Sequence, residues 1–427
     1  MTQLEIIHLM ALVFSISTFI FGIFKPFLMP LSYLTCFFFK LPYYYPFLVD
    51  YQYEFIIIVV GTIRTLVGKG VFLRLKMHSN KYMFMFLLTV FISFLVAFDK
   101  KYSWENTLYD FGGNILLYIM ILCSIDSVKD LKIFIWLFLI IYTLMSWEPV
   151  YYFLTGREWV EYYGTIVRAE IGLLQGHRGL ANTMNQIIPI AFFLIFTIKN
   201  KLIKILSGIP LLIFITALVL GKARIGVLGF LFFIMLLTYY SKERLKYGLV
   251  GGLVVISFIL LSEGFSSTFS RIDTSNLQES PFQGLFHGIE MLLKGNILGV
   301  GPGCYPLARK YYFNWSLHSH SLYGELIGDL GIFGTIAWVY FIKNIFDNIK
   351  NSINNFKLKV EENEFMLKLL LGLHISLMVR LFIGLASHSL YIFYWYFVAA
   401  LSIVIFDLSK KHKDDNIIVK NKKYRYI

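Results

Sequence analysis

Residues 202–220 read LIKILSGIPLLIFITALVL, an apolar run with one charged residue. A helix needs about 20 such residues to cross roughly 30 Å of hydrocarbon. In lipid, a single apolar run can form all its backbone hydrogen bonds internally only as a helix. The strands of a membrane barrel instead alternate in polarity over about ten residues. Comparable runs recur along nearly the whole chain. The sequence therefore predicts an all-α, polytopic membrane protein.

The composition supports the same fold class. The chain is 57% hydrophobic and only 15% charged, with a mean hydropathy of +0.67, whereas soluble domains carry about 25% charged residues. A net charge of +13 would be compatible with nucleic-acid binding. However, the basic residues lie mainly in short loops and the C-terminal tail. Membrane orientation explains them more simply, and no nucleic-acid partner is expected. The start, MTQLEIIHLM, lacks the features of a cleaved signal peptide, which favours a retained span.

Apolar runs and their flanking charges predict about twelve spans. They lie near 6–24, 46–63, 82–98, 108–124, 131–147, 180–198, 202–220, 225–240, 247–262, 321–342, 366–384 and 389–406. The stretch 27–39 is too short to cross comfortably, so it is either re-entrant or a thirteenth span.

The basic residues assign the two sides of the membrane. One alternating topology places five basic segments in the cytoplasm, at 64–81, 126–132, 199–204, 241–246 and 410–425. Two long loops are then extracytoplasmic, and the larger one directly precedes the tenth span. The spacing of apolar residues in 343–365 favours an interfacial helix, with a solvated loop helix as the alternative.

This topology divides the chain into five segments. We expect N-terminal spans over 1–147, a core over 148–342 with outer loops at 148–179 and 263–320, a cytoplasmic loop over 343–365, a hairpin of spans over 366–406 and a basic cytoplasmic tail over 407–427.

Proton-transfer groups are concentrated where the tenth span begins. Residues 317–334 read LHSHSLYGELIGDLGIFG, so His318 and His320 stand at the outer mouth of the span. Histidine titrates near neutral pH, and one of the two could deprotonate an acceptor hydroxyl. Glu325 and Asp329, four residues apart, share a helical face. They are either carboxylates near the water boundary or groups that orient an imidazole or a substrate.

Several arginine and lysine residues are also predicted on the outer side, although positively charged residues usually lie on the cytoplasmic side. A snorkelling side chain is one explanation, and binding of an anion such as a diphosphate is the other. The candidate anion-binding residues are Arg168, Arg178, Lys222, Arg224 and Arg309.

Other chemistries lack a signal in the sequence. The outer loops contain no DxD pair, and the chain contains no HExxH motif, so a divalent metal or other cofactor is not indicated. The cysteines Cys36, Cys123 and Cys304 lack metal-ligand spacing. No repeat of 20–50 residues is present, which weakens a transporter interpretation.

The outer motifs resemble those of the bacterial O-antigen ligase and polysaccharide polymerase superfamily. Its hallmark is His-[Asn/Ser/Gln], nine residues, then Gly-x-x-[Gly/Thr/Tyr], and His320-Ser321 with Gly331 and Gly334 fits it fully. GNILGVGPGCY at 295–305, GKARIG at 221–226 and GHRGLANTMNQ at 176–186 resemble three further family segments, in the expected order.

The resemblance implies a metal-independent membrane glycosyltransferase of the GT-C fold type in the bacterial cytoplasmic membrane, acting on undecaprenyl-diphosphate-linked glycan outside the cytoplasm. It gives His320 the catalytic role, with His318 beside it, and makes Arg224 a diphosphate contact. Family ligases usually carry another arginine before the GVGxG turn, where this chain has SPFQGLFHGIEMLLKG. Arg271, His287, Lys294 and Arg309 are the candidate replacements.

The family contains both polymerases and ligases. The aromatic residues of 148–164 could stack on sugars, which favours polymerisation of repeat units into O-antigen, capsular or exopolysaccharide, although an interfacial aromatic belt explains them nearly as well. Transfer of finished glycan to a lipid A-core or another acceptor is the alternative, and a lipid-linked glycan flippase is the alternative from another class. For a polymerase, the expected partners are a flippase and a chain-length regulator.

Overall fold

The computed structural model describes residues 3–67, 75, 79–155, 177–221, 223–240, 281–357 and 363–423, and the regular elements in these ranges are all helical. The main helices are α1 (Gln3–Phe24), α2 (Met29–Phe39), α3 (Tyr53–Leu66), α4 (Asn80–Leu95), α5 (Tyr109–Ser124), α6 (Val128–Thr155), α7 (His177–Ile195), α8 (Lys201–Leu220), α9 (Arg224–Tyr240), α10 (Pro281–Leu293), α11 (Tyr305–Phe313), α12 (Leu322–Phe356), α13 (Glu364–Ile383) and α14 (Phe393–Lys423). The span expected at 247–262 lies outside the described residues.

Seven described helical segments are long and apolar enough to cross a membrane. They are Glu5–Phe24, Lys100–Ser124, Val128–Thr155, Lys201–Leu220, Leu322–Phe356, Glu364–Ala386 and Phe393–His412. Four shorter apolar helices accompany them, at Pro26–Phe39, Asn80–Leu95, Gly179–Ile195 and Arg224–Tyr240. The all-α, polytopic membrane architecture predicted from the sequence is thereby confirmed.

Helices α14 and α8 occupy opposite environments. In α14, 83% of the apolar window is buried, against 22% in α8, the lowest share among the seven segments. Aromatic rings fill the space around α14, where Phe397 stacks on Phe138 at 4.4 Å and Trp395 meets Trp338 edge to face at 5.7 Å. Such rings bury a large apolar area in fixed geometry. Helix α14 is therefore central, and α8 presents most of its surface to lipid.

The bundle has two ends with different polar groups. We call the end that carries His318, His320 and His388 the histidine end, and the end that carries Lys132 and Lys199 the lysine end. Helix α13 joins them, because it begins at Glu364 beside the lysine pair and stops just before the turn that carries His388. Its 20 residues span about 30 Å.

Helix α12 continues past the span expected at 321–342 to Phe356, through most of the 343–365 segment, for which the apolar spacing favours a separate interfacial helix. Three polar residues in this stretch, Asn344, Asn348 and Ser352, are buried and hydrogen-bonded. Asn344 donates to the carbonyl of Ser79 at 3.0 Å, and Asn348 accepts from the Ser79 hydroxyl at 3.0 Å. The polarity that resembles a loop in the sequence therefore serves contacts between helices.

The short stretch 27–39 is also buried in protein. It forms a 3₁₀ turn followed by α2, in which only Phe37 is not buried. The 11 residues of α2 extend about 16 Å, too little to cross the hydrocarbon core alone. Helix α2 ends at Lys40, whose φ of 44° is left-handed.

Candidate functional site

A break in α12 at Gly331 builds the framework of the site. Gly331 has φ 63°, and a β-carbon there would collide with the carbonyl oxygen of Ile297. The glycine-rich segment packs against the break through hydrogen bonds from Val300 N to Gly328 O at 2.9 Å and from Ile332 N to Ile297 O at 3.1 Å. The GVGPG segment and the Gly331 motif, which the sequence presents separately, therefore form one unit.

Asp329 ties this unit to α11. The residue is fully buried, and its carboxylate accepts hydrogen bonds from Gly303 N at 2.8 Å and Tyr305 N at 2.9 Å. The Tyr391 hydroxyl donates a third hydrogen bond at 3.1 Å. A carboxylate at a helix start satisfies N–H groups that lack intrahelical partners. Asp329 thus joins α12, the start of α11 and the turn before α14.

Glu325 fixes the turn between α13 and α14. Its Oε2 accepts hydrogen bonds from Ser389 N at 2.8 Å and Leu390 N at 2.9 Å. On the other side of the turn, Asn182 of α7 donates to the Ser387 hydroxyl at 2.9 Å. His388 lies between these anchored neighbours, so its position is set from two separate helices.

Three histidines meet at this point. The rings of His318 and His388 stack in parallel, with centroids 4.8 Å apart and planes 9° apart. The ring of His320 lies 5.6 Å from that of His388. His320 has a left-handed backbone with φ 51°, a conformation rare for a residue with a side chain and found mostly where surrounding contacts enforce it. Partial desolvation lowers the pKa of His318.

The sequence analysis did not identify His388. The available signal was its position in the turn between the last two predicted spans, which the topology places on the same side as His318 and His320. Nothing local to residues 384–392 indicates that its ring stacks on a residue 70 positions earlier.

Arg309 is enclosed beneath the histidine loop. It is 1% exposed, and its Nε donates to His287 Nδ1 at 2.9 Å while Nη1 donates to the carbonyl oxygens of Leu317 and His318 at 3.3 and 3.1 Å. Burial, followed by the charge of Arg309, lowers the pKa of His287. In this geometry Arg309 holds the backbone that leads to His320, and its side chain is buried.

A cavity of about 480 Å³ opens between α5, α11, α12 and the turn that carries His388. Two histidines, His318 and His388, and three carboxylates, Asp110, Glu325 and Asp329, contribute to its wall. Asn106, Asn114, Tyr102 and Tyr391 add amide and hydroxyl groups. The lining contains no lysine or arginine among the described residues, so this chamber suits hydroxyl groups better than an anion.

The arginine and lysine residues predicted to bind an anion lie in different places. Arg224 is exposed at the start of α9, whose Gly226 packs on Ala181 of α7 and accepts a hydrogen bond from Asn185 at 2.8 Å. Asn182, on the same turn of α7, reaches Ser387. The starts of α7 and α9 therefore flank the histidine turn.

Arg178 lies in the first turn of α7, at the same end of the bundle. Arg168 and Lys222 lie outside the described residues, as does Arg271. Within the described ranges, no group of three His, Cys, Asp or Glu side chains is arranged to hold a metal ion.

No known protein family matches the sequence, and no curated protein matches it either. The motif resemblance therefore remains a prediction.

Proposed function

We propose that this chain is a membrane glycosyltransferase that polymerises undecaprenyl-diphosphate-linked repeat units outside the cytoplasm. The observation that carries the proposal is the meeting of His320, His318 and His388 beside a hydroxyl-accepting cavity, with Arg224 at the same end of the bundle. The proposal includes about twelve spans in a GT-C-like arrangement, a bacterial cytoplasmic membrane location and a histidine end that faces the periplasm or cell exterior.

In the proposed reaction, His320 acts as general base. It takes the proton from a hydroxyl on the incoming lipid-linked unit as that oxygen attacks the anomeric carbon of the growing glycan. The bond between the anomeric carbon and the diphosphate oxygen breaks, and the lipid diphosphate leaves with the bonding electrons. Arg224 neutralises part of its charge. The proton on His320 then passes to water, which restores the base.

The arrangement of buried charges favours an enzyme over a transporter. The buried charged residues among those described are Glu148, Arg309, Asp329 and Arg380. Glu148, Asp329 and Arg380 lie in the part of their helix nearest the histidine end, and Arg309 lies in the short helix α11 at that end. Transporters place substrate and ion sites near the bilayer midplane. Clustering at one end suits a reaction at the membrane surface.

An assay with purified protein tests the proposal. Supplied only with lipid-linked repeat units and a metal chelator, the protein is expected to form a ladder of longer lipid-linked glycans. Transfer that occurs only after addition of a separate lipid A-core acceptor would identify a ligase instead. Strict dependence on magnesium would contradict the metal-independent reaction, and movement of intact lipid-linked glycan across vesicles without transfer would identify a transporter.

A further inference from the structure

We propose that a second cavity, at the lysine end, binds the headgroup of an anionic membrane phospholipid. This cavity has a volume of about 530 Å³ and lies where α6, α8 and α13 begin. Lys132 and Lys199 contribute to its wall together with Trp136, Ile203 and Glu364. It is remote from the histidine turn, and the inference does not depend on the proposed glycosyltransferase activity.

Within the described residues, four lysines gather at this cavity without a carboxylate partner. Lys204 and Lys368 stand beside the two lining lysines, with their ammonium groups 5.1 and 5.8 Å from the ring centre of Phe196. Lys132 lies 5.3 Å from the ring centre of Phe365. Within the described part of the chain, none of these four lysines forms an ion pair with a carboxylate, and Glu364 is the only acidic residue in the described lining.

Three other described lysines are paired with a carboxylate. Lys101 contacts Glu105 at 4.0 Å, Lys294 contacts Glu290 at 3.1 Å, and Lys411 contacts Asp407 at 2.9 Å. What distinguishes the cavity is that four lysines gather there, three of them beside aromatic rings, with one carboxylate in the described lining. A bound anion would supply the missing counter-charge.

The surroundings indicate a lipid as the source of that anion. Helix α8 is the most lipid-exposed of the seven candidate spans, and Ile203 in the cavity wall is 52% exposed. Ser207 and Trp136 continue the wall about one turn further along α8 and α6, toward the membrane centre. A phosphate among the lysines would leave its glycerol and acyl chains beside this apolar surface, at the depth where tryptophan is favoured.

Native mass spectrometry of the purified full-length protein tests the inference, with phosphatidylglycerol and zwitterionic phosphatidylcholine as the probes. Wild-type protein is expected to retain phosphatidylglycerol at least fivefold more tightly than phosphatidylcholine. Lys132→Gln combined with Lys199→Gln should abolish this preference, whereas Lys132→Arg with Lys199→Arg should keep it. Lys100→Gln with Lys101→Gln, an equal charge change on two exposed lysines away from this cavity, should leave it unchanged.

Three results would overturn the inference. The first is equal retention of the two lipids by wild-type protein. The second is an unchanged preference in the Lys132→Gln, Lys199→Gln protein. The third is complete displacement of phosphatidylglycerol by millimolar glycerol phosphate, because a site that holds the free anion as well as the lipid does not use the apolar wall. Retained preference in the arginine variant shows that any loss in the glutamine variant reflects charge and not misfolding.

Discussion

The two cavities of this protein hold their polar groups in different ways. At the histidine end, the carboxylates of Glu325 and Asp329 accept hydrogen bonds from backbone N–H groups of loops far away in sequence. At the lysine end, Lys132 and Lys199 have no carboxylate partner among the described residues. A hydrogen-bonded carboxylate keeps its neighbours in one geometry, whereas a lysine on a flexible stem adapts to its ligand. The histidine end thus holds its polar groups in a fixed geometry, as the proposed reaction requires, and the lysine end keeps the freedom that the proposed anion binding requires.

This contrast predicts that equivalent substitutions have different effects at the two ends. A side-chain change at the histidine end should alter the rate of glycan extension, while the same change at the lysine end should leave the rate near that of the wild type. Each prediction below therefore carries a matched variant, distant from the histidine turn except for the His388 pair.

The largest effect is expected for His320→Ala. Loss of a general base lowers a rate by about 100-fold or more, so lipid-linked repeat units should no longer be extended in the purified assay. Membrane insertion and elution as a folded protein should be unchanged. His412→Ala removes a histidine from the lysine end and should extend glycan normally. Normal chain length in the His320→Ala protein would exclude His320 as the base.

Arg224→Ala should have the next largest effect. Removing a donor that stabilises a leaving diphosphate is expected to lower the extension rate roughly 10- to 100-fold. Arg224→Lys should recover only part of the loss, because lysine keeps the charge but not the planar fork that contacts two phosphate oxygens. Arg64→Ala, at a half-buried arginine on α3 that donates to the carbonyl of Ile23, is the control. Full activity of Arg224→Ala would make Arg224 a snorkelling residue.

A smaller effect is expected for His388→Ala. Aromatic stacking contributes about 0.5–1.5 kcal/mol, so loss of the parallel contact with His318 should slow extension about three- to tenfold. His388→Phe keeps a ring face against His318 and should restore most of the rate. The two variants are compared by single-turnover extension at pH 7.5. An equal loss in both would show that the ring nitrogens of His388 matter, and not the stack.

Local sequence was sufficient to predict an all-helical, polytopic membrane protein but not the architecture of the site. An apolar run determines a span by itself, because insertion into lipid depends mainly on the length and hydrophobicity of the run. The partners of Glu325, in contrast, lie 64 and 65 residues away. The sequence places Glu325 and Asp329 on one helical face and gives no sign that each carboxylate holds a different loop.

The extended α12 illustrates the same limit. The apolar spacing of 343–365 favours an interfacial helix, yet the side chains of Asn344 and Asn348 are buried and hydrogen-bonded to Ser79, just before α4. Polar residues along one helix predict exposure to solvent only when no second helix supplies hydrogen-bond partners for them. Those partners come from residue 79, more than 260 positions earlier.

The smallest expected effect concerns pH and stability. His287 accepts a hydrogen bond from Arg309 through Nδ1, and its pKa is lowered from about 6.5 in the folded state. The unfolded chain therefore binds a proton at a higher pH than the folded chain does, and the stability that this group contributes is present above about pH 6.5 and lost as the pH falls through the lowered pKa. The Tm should be a few degrees lower at pH 5.5 than at pH 7.5. His287→Gln, whose amide oxygen can still accept from Arg309, should reduce this difference, whereas His412→Gln at the lysine end should not. If the His287→Gln protein kept the full wild-type difference in Tm, the pH response would have to arise outside the Arg309 contact, for example at His318, whose pKa is also lowered.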